Sequence, residues 1–245
     1  ACSHCYLDAL QRGQKSSGEL GTVEACEVIE QIAALAPAAM LVLSGGEPLL
    51  RRDLDTLVRH AATRGLAPVI GTNGTLLDER RARQLRAAGA AGVGVSLDSA
   101  APSFHDHLRG VSGAWHSALR GIQAARSAGL TVSLQATLFE ENRNELCALA
   151  DIAESLGALA LNFFFLVCTG RGVTQTDLTP VQYEETLACI IRLQRERPQL
   201  MIRARCAPYL RRILGLRAGE GVNSYAKWSS ACLAGRSYLR ITPQG

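Results

Sequence analysis

Two cysteines separated by two residues open the chain, in the order Cys2-Ser3-His4-Cys5. Thiols at that spacing can share one metal ion or one redox event, so half of a zinc site and a thioredoxin-like pair are the plain alternatives. Zinc needs further ligands, and Cys206 and Cys232 stand far along the chain with no paired spacing. A thioredoxin-like pair belongs at a helix N-terminus in a much smaller fold. Four more segments gather small polar residues, three of them with glycine. In Ser44-Gly45-Gly46-Glu47-Pro48, two glycines let a ligand approach the backbone. Pro48 biases Glu47 toward an extended conformation, and a carboxylate held there could bind an ammonium group. Thr72-Asn73-Gly74-Thr75, Ser96-Leu97-Asp98-Ser99 and Thr169-Gly170-Arg171-Gly172 add hydroxyls, amides and free backbone N–H groups. Taken singly, each is an ordinary turn or cap, with Asp98 or Ser99 starting the next helix.

What could bring these segments together is an alternation of helices and strands. Apolar spacing of three and four predicts helices near 22–36, 52–65, 78–89, 113–128 and 142–156. Short apolar strands lie between them, at 39–43, 67–71, 92–97, 131–138 and 159–167. Gly65, Gly89, Gly129 and Gly157 fall where a helix should stop. Repeated strand–helix units predict a parallel sheet with right-handed crossovers. With a strand ahead of residue 1 the units number six, short of a closed eight-unit barrel. The expected fold is therefore α/β, a partial (β/α)6 barrel over residues 1–198. Its ligands should bind at the carboxyl ends of the strands, where the polar loops and Cys2 and Cys5 would meet. After Gly172 the rhythm changes: a helix near 180–197, a strand at 200–204 and a helix at 208–216. Residues 199–245 are expected to begin a second, small unit.

Composition narrows the class. With 47% apolar and 20% charged residues, a 245-residue chain has a full core and needs no disulfide framework despite eight cysteines. Cys26, Cys147 and Cys189 lie within apolar helical patterns and read as small buried hydrophobes. The run from Leu156 to Cys168 is too short to span a bilayer, and no secretory signal opens the chain, so a cytoplasmic protein without a membrane partner is expected. Only Lys15 and Lys227 of the 26 basic residues are lysines, a bias that fits genomic base composition better than a nucleic-acid surface. The denser arginines from Arg192 to Arg217 could face an acidic substrate. An opening at Ala-Cys-Ser-His-Cys, without a start methionine, reads as a piece of a longer protein.

The set resembles the radical S-adenosylmethionine (SAM) enzymes. Their cluster motif is C-x-x-x-C-x-x-C with an aromatic residue before the last cysteine. Cys2 and Cys5 match its second and third cysteines, with His4 at the aromatic position; the first would fall three residues before Ala1. Gly45-Gly46-Glu47-Pro48 matches the family's GGEP motif, which binds the SAM amino group. Thr72-Asn73-Gly74 resembles its third-strand loop and Ser96-Leu97-Asp98 its fourth-strand loop near the ribose. His105-Asp106-His107-Leu108-Arg109-Gly110 is similar to a segment whose arginine often lies near SAM. Cys232, followed after twelve residues by Gly245, is similar to the opening of the SPASM extension, which holds auxiliary iron–sulfur clusters. Phe164 to Val167, Thr169 to Gly172 and Cys206-Ala207-Pro208-Tyr209 look most like enzymes of alternative haem and d-type haem biosynthesis.

The resemblance implies a 4Fe–4S cluster on Cys2, Cys5 and a third thiolate, and reductive cleavage of SAM to a 5′-deoxyadenosyl radical that abstracts a substrate hydrogen. It gives Glu47 the methionyl ammonium, Ser96 and Asp98 the ribose side, and His4 a place near the adenine. Asn73 and Arg109 complete the cofactor contacts. An auxiliary cluster on Cys232, a ferredoxin- or flavodoxin-type electron donor and a tetrapyrrole substrate with propionate side chains follow from the subgroup. A peptide-modifying maturase uses the same architecture. A zinc-stabilised binding protein and a degenerate scaffold are the readings outside enzymology.

Overall fold

The computed structural model describes residues 2–5, 18–216 and 237–245. Its centre is one all-parallel sheet in sequential order, with β1 Met40–Leu43, β2 Ala67–Thr72, β3 Gly92–Ser96, β4 Thr131–Leu138, β5 Ala160–Phe165 and β6 Met201–Arg205. α1 Thr22–Leu35 precedes β1; the crossover helices are α2 Leu54–Thr63, α3 Glu79–Ala88, α4 Pro102–Arg109, α5 Ala114–Ser127, α6 Leu146–Ser155 and α7 Pro180–Glu196; α8 Leu210–Leu216 follows β6. β1 and β6 do not pair with each other, so the sheet is open.

Local chemistry explains where the elements start and stop. The Asp78 carboxylate accepts the Arg81 N–H at 2.6 Å to cap α3, and Gly89 ends that helix in the left-handed region at φ 101°. Gly65, Gly129 and Gly157 also have positive φ, as their positions suggested. Thr179 and Gln182 close a reciprocal capping box on α7, with Pro180 in its first turn. Alternate strand residues then enter one continuous core, where Val93, Val95, Leu134, Leu161, Phe163 and Ile202 meet Leu85, Ile122, Leu149 and Ile190. Full burial of each such side chain stabilises by about 1.5–3 kcal/mol. No helix among the described residues is long and apolar enough to cross a membrane.

Three expectations change. The end of the barrel at residue 198 gives way, because Met201–Arg205 pairs in parallel with β5 and is the sixth strand of the same sheet. Its alternation sends Ile202 and Ala204 into the main core, and Leu210, Ile213 and Leu214 of α8 join them. Residues 237–245 return to the start of α1, where the Leu20 N–H donates to the Pro243 carbonyl at 2.8 Å. Cys147 is exposed, and Cys26 and Cys189 are half-buried at the core margin, so none of the three is a fully buried hydrophobe. Helix α4 stands where no helix was expected, over the segment containing His105 and Arg109. Cys232 lies outside the described residues.

Candidate active site

Strand ends deliver the polar loops to one rim of the sheet. After β1, Glu47 caps the short 3-10 turn Pro48–Leu50, accepting the Leu49 N–H at 3.1 Å. The same carboxylate accepts the Thr72 hydroxyl at 2.7 Å and the Asn73 N–H at 2.9 Å, which ties the β1 loop to the β2 loop. Burial pushes the Glu47 carboxyl up, and these three donors with the charge of Arg109 oppose the rise. Gly45, at φ 142°, has open space where a side chain would stand, Gly46 is exposed and Pro48 is buried. Asn73 turns its side-chain oxygen onto Thr75, accepting both the backbone N–H and the hydroxyl.

After β3 comes Asp98, which is wholly buried. Arg109 donates to its Oδ2 from Nε at 2.7 Å and lies 2.5 Å away through Nη2, while the Thr137 N–H donates to Oδ1 at 3.1 Å. Burial would push this carboxyl up, but the guanidinium beside it holds it below the usual carboxylate range. Asp98 offers its own N–H to His105 Nδ1 at 3.1 Å, and its carbonyl accepts from Asn142 at 2.6 Å. Both side-chain oxygens are thus engaged inside the protein. Ser96, half-buried one turn of the pleat earlier, stands on the open side of the sheet beside Gln135.

The Cys2–Cys5 segment docks on these groups from both sides. The Ser3 N–H donates to the Leu108 carbonyl at 2.9 Å, and Arg171 donates from Nε to the Cys2 carbonyl at 2.9 Å and from its backbone to the Cys5 carbonyl at 3.0 Å. Arg109 Nη1 lies 3.8 Å from Cys2 Sγ, so one guanidinium joins the first thiol to Asp98. His4 packs edge-on against Phe139 with ring centroids 5.4 Å apart, and its Nε2 lies 3.8 Å from Asp98 Oδ2. Burial lowers its pKa, which keeps the imidazole neutral. Its Nδ1 is shut away from solvent with no hydrogen-bond partner among the described residues.

The structure therefore brings together Cys2, His4, Asp98 and Arg109, and separately joins Glu47 to Asn73, with Arg109 acting on both groups. Sequence reasoning missed Asn142, Phe139, the part played by His105 and the anchoring role of Arg171. The Pro102 start and Gly110 stop of α4 were readable as helix signals; Asn142 carried no local signal. Among the described residues no three His, Cys, Asp or Glu side chains converge as a metal site. Two thiols anchored by their backbones, a cation against one of them, an orphaned buried nitrogen on His4 and a glycine loop open to solvent suit an iron–sulfur cluster with a polar cofactor beside it. Zinc held by these residues alone would lack ligands.

Similarity points the same way. The chain is 34% identical over 255 residues to the AdoMet-dependent heme synthase of Methanosarcina barkeri, covering 100% of this chain and 71% of that protein. To the AdoMet-dependent heme synthase of Oleidesulfovibrio alaskensis it is 34% identical over 222 residues, covering 90% of this chain and 56% of the other. Streptococcus suis SuiB, solved bound to S-adenosylmethionine, shares the fold with a TM-score of 0.72 at 14% identity, over 84% of this chain and 47% of SuiB. The chain thus spans about half of that solved chain and between half and three quarters of these relatives. The sequence model of the Radical SAM superfamily matches residues 1–153, and the chain belongs to that superfamily.

Proposed function

We propose that this chain is the SAM-cleaving core of an enzyme that abstracts hydrogen from propionate side chains of a tetrapyrrole. The observation that carries the reading is the position of Arg109, which joins Cys2 to Asp98 and whose charge reaches Glu47. Cys2 and Cys5 would be ligands of a 4Fe–4S cluster, and Cys232 of an auxiliary one. When bound, the cluster and SAM supply one-electron cleavage of the sulfonium and a carbon radical able to take a hydrogen atom. The residues of the chain do the positioning. Thr72, Asn73 and Leu49 hold the Glu47 carboxylate toward the methionyl ammonium. Asp98 fixes the direction of Arg109, and the ribose side falls to Ser96. His4 presents its orphaned Nδ1 on the cofactor side, while Leu97, Leu138 and Phe139, all fully buried, exclude water behind it.

The tetrapyrrole substrate is supported by the two relatives named AdoMet-dependent heme synthase. The reading includes a cytoplasmic location and a ferredoxin or flavodoxin as reductant. The test is anaerobic: reconstitute the complete polypeptide with iron and sulfide, reduce it with dithionite, add SAM and measure 5′-deoxyadenosine. Formation that disappears in Cys2→Ala and Cys5→Ala and rises with propionate-bearing porphyrins supports the proposal. Stimulation by peptides alone would replace the tetrapyrrole. A loaded cluster that never yields the nucleoside would refute SAM cleavage.

A further inference from the structure

The open side of the sheet has a polar floor that, beyond Ser96, the cofactor contacts do not use. In β6, Ile202 and Ala204 enter the core, so Met201, Arg203 and Arg205 face the opposite side. The strand register sets Arg203 beside Asn162 of β5, Asn162 beside Gln135 of β4, and Gln135 beside Ser96 of β3. One row across four strands therefore reads Ser96, Gln135, Asn162, Arg203. The next row toward the strand ends holds Thr137, Phe164 and Arg205, and the Thr137 N–H is a donor to Asp98. Arg205 Nε donates to Asn162 Oδ1 at 3.3 Å, which leans it into the first row. The Gln135 amide covers Gly94, where a Cβ would stand 2.5 Å from Nε2.

Closed α/β barrels fill this side with branched apolar side chains. Here amides, hydroxyls and two guanidiniums line it, with Phe164 between them. Alternate residues of a strand lie about 7 Å apart, so the two cations are close neighbours on one face. Burial, and then the charge of Arg205, lowers the Arg203 pKa to about 10; burial lowers that of Arg205. The planar guanidinium fork matches a carboxylate in two contacts.

We propose that Arg203 and Arg205 receive the carboxylate groups of the substrate and so orient it beneath the rim formed by Cys2, His4 and Asp98. The inference rests on the reading that this face takes the substrate, and it assigns recognition to two residues outside the cofactor site.

The experiment is a binding titration on the reconstituted complete polypeptide, with a propionate-bearing porphyrin, its methyl ester and a glutamate-rich fluorescent peptide as probes. Arg203→Gln and Arg205→Gln should each weaken the free-acid porphyrin by about 10-fold or more, the loss of a charged hydrogen bond. Arg203→Lys and Arg205→Lys should recover part of it. The ester should bind wild type and variants alike, and SAM affinity should not move. Arg211→Gln, on the exposed side of α8, should bind every probe as wild type does. Circular dichroism confirms that each variant is folded. Unchanged free-acid affinity in both glutamine variants overturns the proposal while leaving a tetrapyrrole substrate standing, and so does equal loss of acid and ester. An arginine-dependent loss seen with the peptide and not the porphyrin keeps carboxylate recognition and removes the tetrapyrrole. Wild type that binds none of the probes refutes both.

Discussion

Glu47 accepts three donors, with Oε1 taking the Thr72 hydroxyl and the Leu49 N–H and Oε2 taking the Asn73 N–H. A glutamine in its place can present only one acceptor oxygen. Whichever way the amide turns, its NH2 group faces a backbone N–H, and that donor is left without a partner. Glu47→Gln should therefore lower stability by about 1–3 kcal/mol, the penalty of an unsatisfied group of this kind. It also removes the charge proposed for the methionyl ammonium, so SAM affinity should fall by about 10-fold or more, the worth of one charged contact. Urea unfolding and a SAM titration on the same sample separate the two effects. A variant as stable as wild type would contradict the bracing role; one that binds SAM as tightly would remove Glu47 from the cofactor site. Asp98 presents the opposite case. Its motif position suggested a ligand contact, whereas burial and four protein partners make it the residue that aims Arg109.

The close approach of α5 to the β2 loop shows how elements set the site. Gly74 has φ 78°, and a Cβ there would stand 2.9 Å from Val95 Cγ1 and 3.1 Å from the Ala118 backbone. Gly121, on the facing helix, would place its own Cβ 2.7 Å from the Gly74 carbonyl. Gly74→Ala would combine a left-handed backbone with a clash against main chain, a cost of about 1–3 kcal/mol from the conformation alone. Its thermal midpoint should fall, and SAM affinity with it, because Thr72 and Asn73 precede the glycine and hold Glu47. A midpoint equal to wild type would show that the helix can give way. The same region marks what sequence can carry. Strands β2 to β5 and the helices α2, α3, α5 and α6 before them were legible because each couples an apolar run to a glycine stop, a signal contained in a few neighbouring residues. Helix α4 was signalled only at its ends, by Pro102 and Gly110, since its eight residues bury only His105 and Leu108. β6 was legible as a strand but not as part of the sheet, because membership depends on pairing with β5. Cys2, His4 and Glu47 could be named from motifs. Asn142 could not, because its partners, the Asp98 carbonyl and the Phe139 N–H, meet it only once the chain has folded.

At the scale of the molecule, the rim is one polar seam among packed elements, and its acid response follows from the histidine at its centre. His105 is buried with Nδ1 accepting the Asp98 N–H, an arrangement that requires the neutral ring. Burial is the main cause that lowers its pKa from 6.5 to about 4; Arg109 and His4 act in the same direction, and Asp98 and Asp106 oppose them. A folded-state pKa below the unfolded one means that the unfolded chain binds more protons between those values. The contribution of His105 is thus complete above pH 6.5 and lost as pH falls toward about 4. Over that window stability should drop by on the order of 3 kcal/mol, at about 1.4 kcal/mol per pH unit. Asp98 adds its own loss only lower down, because Arg109 holds its carboxyl below the usual range against the rise that burial would cause. Urea unfolding at half-unit steps from pH 7.5 to 4.5 would trace the curve. His105→Asn keeps an acceptor near Nδ1 but cannot titrate, so its stability, lower throughout from lost packing, should change far less across the same steps. A wild-type curve that stays flat from pH 6.5 to 4.5 would show that His105 charges freely in the folded protein, and the seam would then be open to solvent at the point where Asp98 aims Arg109 at Cys2.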